Sequence, residues 1–142
     1  MKKFIFLLII SICSSATTFA NEFISESTEG AKLYFILPVD GQIVSGEFKV
    51  QFGLSGMGVA PAGIKVKDTG HHHLLINTDV STIDFTGSLP ATDQIRHFSG
   101  GQTETVLKLP KGKHTLQLLL GNYVHIPHKK PVISDQITIT VE

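Results

Sequence analysis

Tryptophan is absent from this chain and cysteine occurs once, at position 13. Without them the chain cannot build the antibody-type immunoglobulin core, in which a disulfide packs against a buried indole. Long apolar runs are missing as well. The run at 4–12 is about nine residues, well short of the roughly 20 that a membrane-spanning helix needs, and no later segment is longer and uncharged. Lys2 and Lys3 precede it, and small polar residues ending in Thr18-Phe19-Ala20 follow, the pattern of a secretory signal cleaved after Ala20. A lipoprotein signal fits poorly, because Cys13 follows the bulky Ile12. Cleavage after Ala20 would leave no cysteine, which excludes disulfides, thiolate nucleophiles and Cys-ligated zinc, copper or iron–sulfur centres.

Excess charge of either sign is also lacking, with 12 basic and 12 acidic side chains. Loss of the leader removes Lys2 and Lys3 and leaves ten basic against 12 acidic residues. No basic patch with interleaved aromatics occurs, so nucleic-acid binding and polybasic membrane attachment have no support. The expected organisation is a cleaved signal at 1–20, a polar flexible tail at 21–30, and one domain at 31–142 of a periplasmic or secreted protein.

No convincing amphipathic helix appears in the remaining chain. Short apolar runs alternate with turn signals, giving candidate strands at 32–37, 47–54, 64–66, 72–77, 103–109, 113–120 and 133–141. The clean alternation of Gln136-Ile137-Thr138-Ile139-Thr140-Val141 suits a strand with one face buried. Turn residues at Pro38-Val39-Asp40-Gly41, Lys111-Gly112 and Gly121-Asn122 punctuate these runs. About seven short strands predict an all-β, immunoglobulin-like antiparallel sandwich, with a jelly roll or small barrel as alternatives. Two long non-strand segments, 78–101 and 122–132, interrupt the rhythm, and the histidines lie in or beside them.

Those histidines are the positive feature: His71, His72, His73, His97, His114, His125 and His128. Neutral imidazole is the commonest protein metal ligand and suits copper and zinc. On an extended backbone His71 and His73 share one face, about 7 Å apart at Cα, while His72 points with Leu74 and Ile76 toward the core. Tyr123-Val124-His125-Ile126-Pro127-His128 offers two more imidazoles on a loop stiffened by Pro127. The leading ligand set is His71, His73, His125 and His128. His97, His72, His114 and Met57 are lesser candidates: His72 and His114 read first as core-edge residues, Met57 as a gap filler, and His97 as part of a turn before strand 103–109. The glycines at 100 and 101 could alternatively form an anion nest, although the lysine and helix of a phosphate loop are missing.

Four motifs in order carry a resemblance: Gly-His-His-His-Leu-Leu-Ile at 70–76, His-Phe-x-Gly-Gly-Gln-Thr-Glu at 97–104, His-Thr-Leu-Gln-Leu-Leu-Leu-Gly at 114–121, and His-Ile-Pro-His at 125–128. From about Val50 to its last residue the chain resembles the bacterial domain-of-unknown-function family four-three-nine-nine. The resemblance implies export and a compact β domain and transfers no established chemistry. Ser99 stands where the family often has a first glycine, so no special torsion is required there.

Hydrolysis by a Ser-His-Asp group lacks a Gly-x-Ser-x-Gly elbow, and the spacing of Asp79, Asp84, Asp93 and Glu104 selects no carboxylate pair. A three-histidine metal with an open position could still activate water, so enzyme activity stays undecided. The sequence therefore supports an exported domain that binds copper or zinc through histidines. The alternative is a non-catalytic, immunoglobulin-like adhesion or accessory module that binds an envelope protein or glycan and uses its histidines structurally.

Overall fold

The computed structural model describes residues 22–142, so the expected signal at 1–20 lies outside the described residues. Nine strands follow in order: β1 Lys32–Leu37, β2 Ile43–Val44, β3 Glu47–Ser55, β4 Gly58–Val59, β5 Thr69–Ile76, β6 Ile95–His97, β7 Glu104–Lys108, β8 Gly112–Gly121 and β9 Ile137–Val141. A single 3₁₀ turn at Val80–Thr82 is the only helical element among the described residues. The chain is an all-β sandwich of the immunoglobulin-like kind. A three-stranded sheet in the order β1-β3-β7 faces a larger sheet in the order β2-β9-β8-β5-β4, with β6 also paired to β5. The long pairings are antiparallel, as expected, and two dipeptide strands, β2 and β4, add to the large sheet in parallel.

Alternation of side chains explains the small sheet. In β3, Phe48, Val50 and Phe52 are buried, whereas Glu47 and Lys49 face water. In β9, Ile137, Ile139 and Val141 point inward. These meet Leu74, Ile76, Leu116, Leu118 and Leu120 of the large sheet in one continuous core. The central strands β5 and β8 behave differently, because both of their faces are covered. Leu75 and Leu119 point away from the sandwich and pack with Leu89 and Ile95, under Val80, Ile83 and Phe85. The segment after β5 therefore folds across the outer face of the large sheet and builds a second, smaller core there. A strand buried on both faces reads as a near-continuous apolar run, which is what His-His-His-Leu-Leu-Ile and Leu-Gln-Leu-Leu-Leu become once the imidazoles are uncharged.

Residues 22–30, expected as a tail, lie along the loop after β8. Ser25 O accepts from Lys129 N at 2.9 Å, and Phe23 O accepts from Asn122 Nδ2 at 2.6 Å. The candidate strand at 64–66 does not form. Ile64 and Val66 are more than half exposed, and Gly63 turns the chain at a φ of +81°. Apolar β-branched residues there have no neighbouring strand to pair with, so propensity alone does not hold them extended.

Leu118 lies fully buried between the sheets and Val106 faces solvent from β7. Leu118→Ala should cost about 2–5 kcal/mol in urea unfolding, and Val106→Ala under about 0.5 kcal/mol. Equal losses at both positions would contradict the sheet assignment.

Candidate metal centre

Register decides which histidines meet. β5 pairs with β8 as His71↔Gly121, His72↔Leu120 and His73↔Leu119, and with β6 as His73↔His97. Side chains directly opposite share a face, so His71, His73 and His97 all stand on the outer face of the large sheet. Gly121 makes room for them: a Cβ there would overlap His73 Cε1 and come within 2.9 Å of its Nδ1. His125 reaches the same place from the loop after β8, where its backbone takes a left-handed φ of +64°. For a non-glycine residue this conformation costs of order 1–3 kcal/mol and persists only when its surroundings enforce it. Asn122 supplies the enforcement. Its Oδ1 accepts from Val124 N and Ile126 N at 3.0 and 3.1 Å, and its carbonyl accepts from His125 N at 2.9 Å. His125 O in turn accepts from Leu89 N at 3.0 Å, tying the loop to the 78–101 segment.

Three ring nitrogens converge as a result. His125 Nδ1 lies 2.9 Å from His71 Nε2 and 3.2 Å from His73 Nε2, and ligand atoms of the three residues all fall within 4.8 Å of one another. A metal with bonds of 2.0–2.1 Å in tetrahedral geometry needs its nitrogens about 3.3–3.5 Å apart. Both separations fall slightly short of that value, so His71, His73 and His125 can hold a metal ion once the rings move apart by a few tenths of an ångström. A neutral imidazole has one N–H and one lone pair. One N–H on His125 shared between two lone pairs pairs the three converging nitrogens, leaving His71 Nδ1 and His73 Nδ1 buried without a hydrogen-bond partner, and shifting that proton to His125 Nε2 turns three lone pairs inward.

Burial keeps the rings uncharged. His71 and His73 have no solvent exposure and His125 is half-buried. Desolvation first, and mutual repulsion among the histidines second, pull the His71 pKa from 6.5 to about 4 and that of His73 to about 2. Desolvation likewise lowers His125 and His97. Proton competition for the lone pairs is thus displaced below the usual imidazole range.

The other candidates take different places. His97 stacks on His125 with ring centroids 4.6 Å apart, and meets His73 edge-on at 4.4 Å, at the border of the trio. His128 points elsewhere: its Nε2 donates to Thr69 O at 3.2 Å, and its ring lies close under Gly70. His72 faces the inter-sheet core, 5.1 Å from the Phe52 ring. His114 donates from Nε2 to Pro110 O at 2.7 Å and accepts at Nδ1 from Asn77 Nδ2 at 2.9 Å. Met57 packs against the inter-sheet core as filler. The glycine segment after His97 is a turn whose amides are already engaged, Gly101 N with Phe98 O and Gly100 N with Gln102 Oε1, each at 3.0 Å. Spacing alone did not single out His97 over His128, nor give Gly121 its role; only the β5–β6 and β5–β8 registers do.

The chain belongs to the family described as a domain of unknown function, DUF4399, whose model matches residues 50–142. None of the curated proteins compared with it matches the sequence. Among solved structures, the X-ray structure of endo-beta-1,4-mannanase from Thermotoga petrophila is 17% identical with a TM-score of 0.47, covering 79% of this chain and 20% of that one. This chain therefore spans only a fifth of the mannanase chain's length. Fibronectin(III)-like modules of Clostridium thermocellum CbhA are 10% identical with a TM-score of 0.39, covering 77% and 92% of the two chains. At these scores neither likeness bears on function.

Two outcomes follow from this geometry. His71 and His72 titrate near 4 when folded and near 6.5 when unfolded, so between those values the unfolded chain binds more protons. Stability of the metal-free protein should fall as pH drops from about 6.5, with His71 and His72 contributing down to about 4 and His73 on to about 2, by several kcal/mol on the order of one to three per ring. A flat urea midpoint across that window would contradict burial of uncharged rings. Gly121→Ala should displace His73 and lower the thermal midpoint by several degrees, whereas alanine at half-buried Gly87, whose Cβ would meet only the exposed Asp84 carboxylate at 3.2 Å, should matter less.

Proposed function

We propose that this DUF4399 protein is an exported metal-binding domain whose ligands are His71 Nε2, His73 Nε2 and His125 Nδ1, with copper or zinc as the ion. The observation that carries the reading is the approach of one loop nitrogen to two strand nitrogens at 2.9 and 3.2 Å in a buried cluster of uncharged rings. Export rests on the leader read from the first twenty residues.

Each ligand has a distinct part. His71 and His73 are rigid, because the β5 backbone is paired on both edges, so they lose little freedom on binding. His125 is the loop ligand and the least buried of the three, which makes it the point of entry and exchange. His97, stacked on His125, fixes the orientation of that ring rather than donating to the ion. His128 is proposed to brace the strand at Thr69 instead of binding the metal, which departs from the ligand set suggested by spacing.

A second reading, the accessory module, has one feature in its favour. The outer face of the three-stranded sheet exposes Tyr34 and Ile36 on β1 and, across Lys49 of β3, Val106 on β7, apolar groups open to a partner such as an envelope protein or glycan. In that reading the histidine cluster serves stability alone.

Calorimetric titration of the metal-free protein, prepared without a polyhistidine tag, separates the two. One-to-one binding of copper(II) or zinc(II) is expected, with His71→Ala/His73→Ala abolishing it and His125→Ala weakening it at least about 100-fold. His114→Ala, outside the site, should leave the affinity unchanged. Weak binding that survives loss of His71 and His73 would overturn the metal reading, and a lowered thermal midpoint as the sole effect of those substitutions would favour the module.

A further inference from the structure

The centre is unusual in what surrounds it. Its three converging donors are all neutral imidazoles, and the charged groups that act on His71, His73 and His125 are other histidines, with no carboxylate among them. Asp79 and Asp84, on the covering segment, spend their carboxylates on local turns with Ser81 and Thr86. No thiolate is present among the described residues. Any ion placed here keeps its whole charge in a site where His71 and His73 are fully buried, beside the apolar cluster of Leu75, Leu89, Ile95 and Leu119. The cost of burying an ion grows with the square of its charge, so an uncompensated divalent ion meets about four times the penalty of a monovalent one.

Coordination number points the same way. Zinc(II) held by three histidines completes its shell with a water or anion and copper(II) prefers four donors in a plane, so either divalent ion needs a further donor beside the trio. Here a fourth histidine is close yet does not converge. His97 stacks on His125 with centroids 4.6 Å apart, its Nε2 is buried without a hydrogen-bond partner, and it stays outside the group of His71, His73 and His125 whose ligand atoms lie within 4.8 Å of one another. A closed-shell monovalent ion accepts three nitrogen donors without a fourth.

We propose that the centre is built for copper in its monovalent state, held by three imidazoles. The inference rests on the metal-binding reading above and narrows it to one ion and one oxidation state.

The experiment uses the full chain expressed for export and purified without a tag. Copper(I) is titrated anaerobically against a chromophoric copper(I) chelator, zinc(II) against a chromophoric zinc chelator, and the reduction potential of the bound copper is measured by equilibrium titration. Expected are one copper(I) per chain, an affinity for copper(I) at least 100-fold above that for zinc(II), and a copper potential at least about 60 mV above that of the aqueous ion, the equivalent of a tenfold preference for the reduced form. His125→Ala, whose ring is only half-buried and whose fold is checked by circular dichroism, should weaken copper(I) binding at least about 100-fold. Zinc(II) bound as tightly as copper(I), or a potential at or below the aqueous value, would overturn the monovalent assignment while the metal centre stood. Absence of any stoichiometric metal would overturn both.

Discussion

The structure depends on β5 being buried on both faces in a single register. Gly70, His72, Leu74 and Ile76 alternate onto the sandwich core, and His71, His73 and Leu75 onto the outer face. A slip of one residue would exchange the two sets and bury a pair of imidazoles between the sheets. Six residue pairs with β8 and three with β6 hold the register, and the leucines on each face make the alternative costly. Three consecutive histidines thus acquire two unrelated roles from one backbone rule. His72 is a packed core-side ring against Phe52, while its neighbours become potential ligands.

The outer face would be solvent-exposed in an ordinary sandwich. In this chain residues 78–101 and the loop after β8 cover it, and the two coverings are joined through the Leu89–His125 backbone hydrogen bond. Coverage changes the chemistry of the rings beneath, because desolvation removes the protonated form as a competitor for the lone pair. It also places the strained His125 backbone where a network around Asn122 can hold it. Packing, ring charge and ligand geometry are consequences of the same loop arrangement.

Much of the framework was legible in sequence. The strands at 32–37, 47–54 and 113–120 carry their own turn signals, and the position of His72 with Leu74 and Ile76 follows from alternation. Three features were not. β6 spans only Ile95–His97, too short for a period to show, so the partner that brings His97 opposite His73 was hidden in an apparent loop. Ile64 and Val66 have strand propensity but no edge to join, which misled the reading of 64–66. His125 and His128 look equivalent in a His-x-x-His loop; only the left-handed backbone at His125 sends one ring to β5 while the other turns to Thr69. Convergence of distant rings is a tertiary property, and spacing along one loop does not encode it.

The most direct measurement is a crystal structure of the metal-loaded protein with anomalous scattering recorded at the metal edge. The account predicts one anomalous peak per chain, about 2.0–2.1 Å from His71 Nε2, His73 Nε2 and His125 Nδ1. A peak at His114 or His128, or scattered weak peaks with the trio left empty, would contradict it.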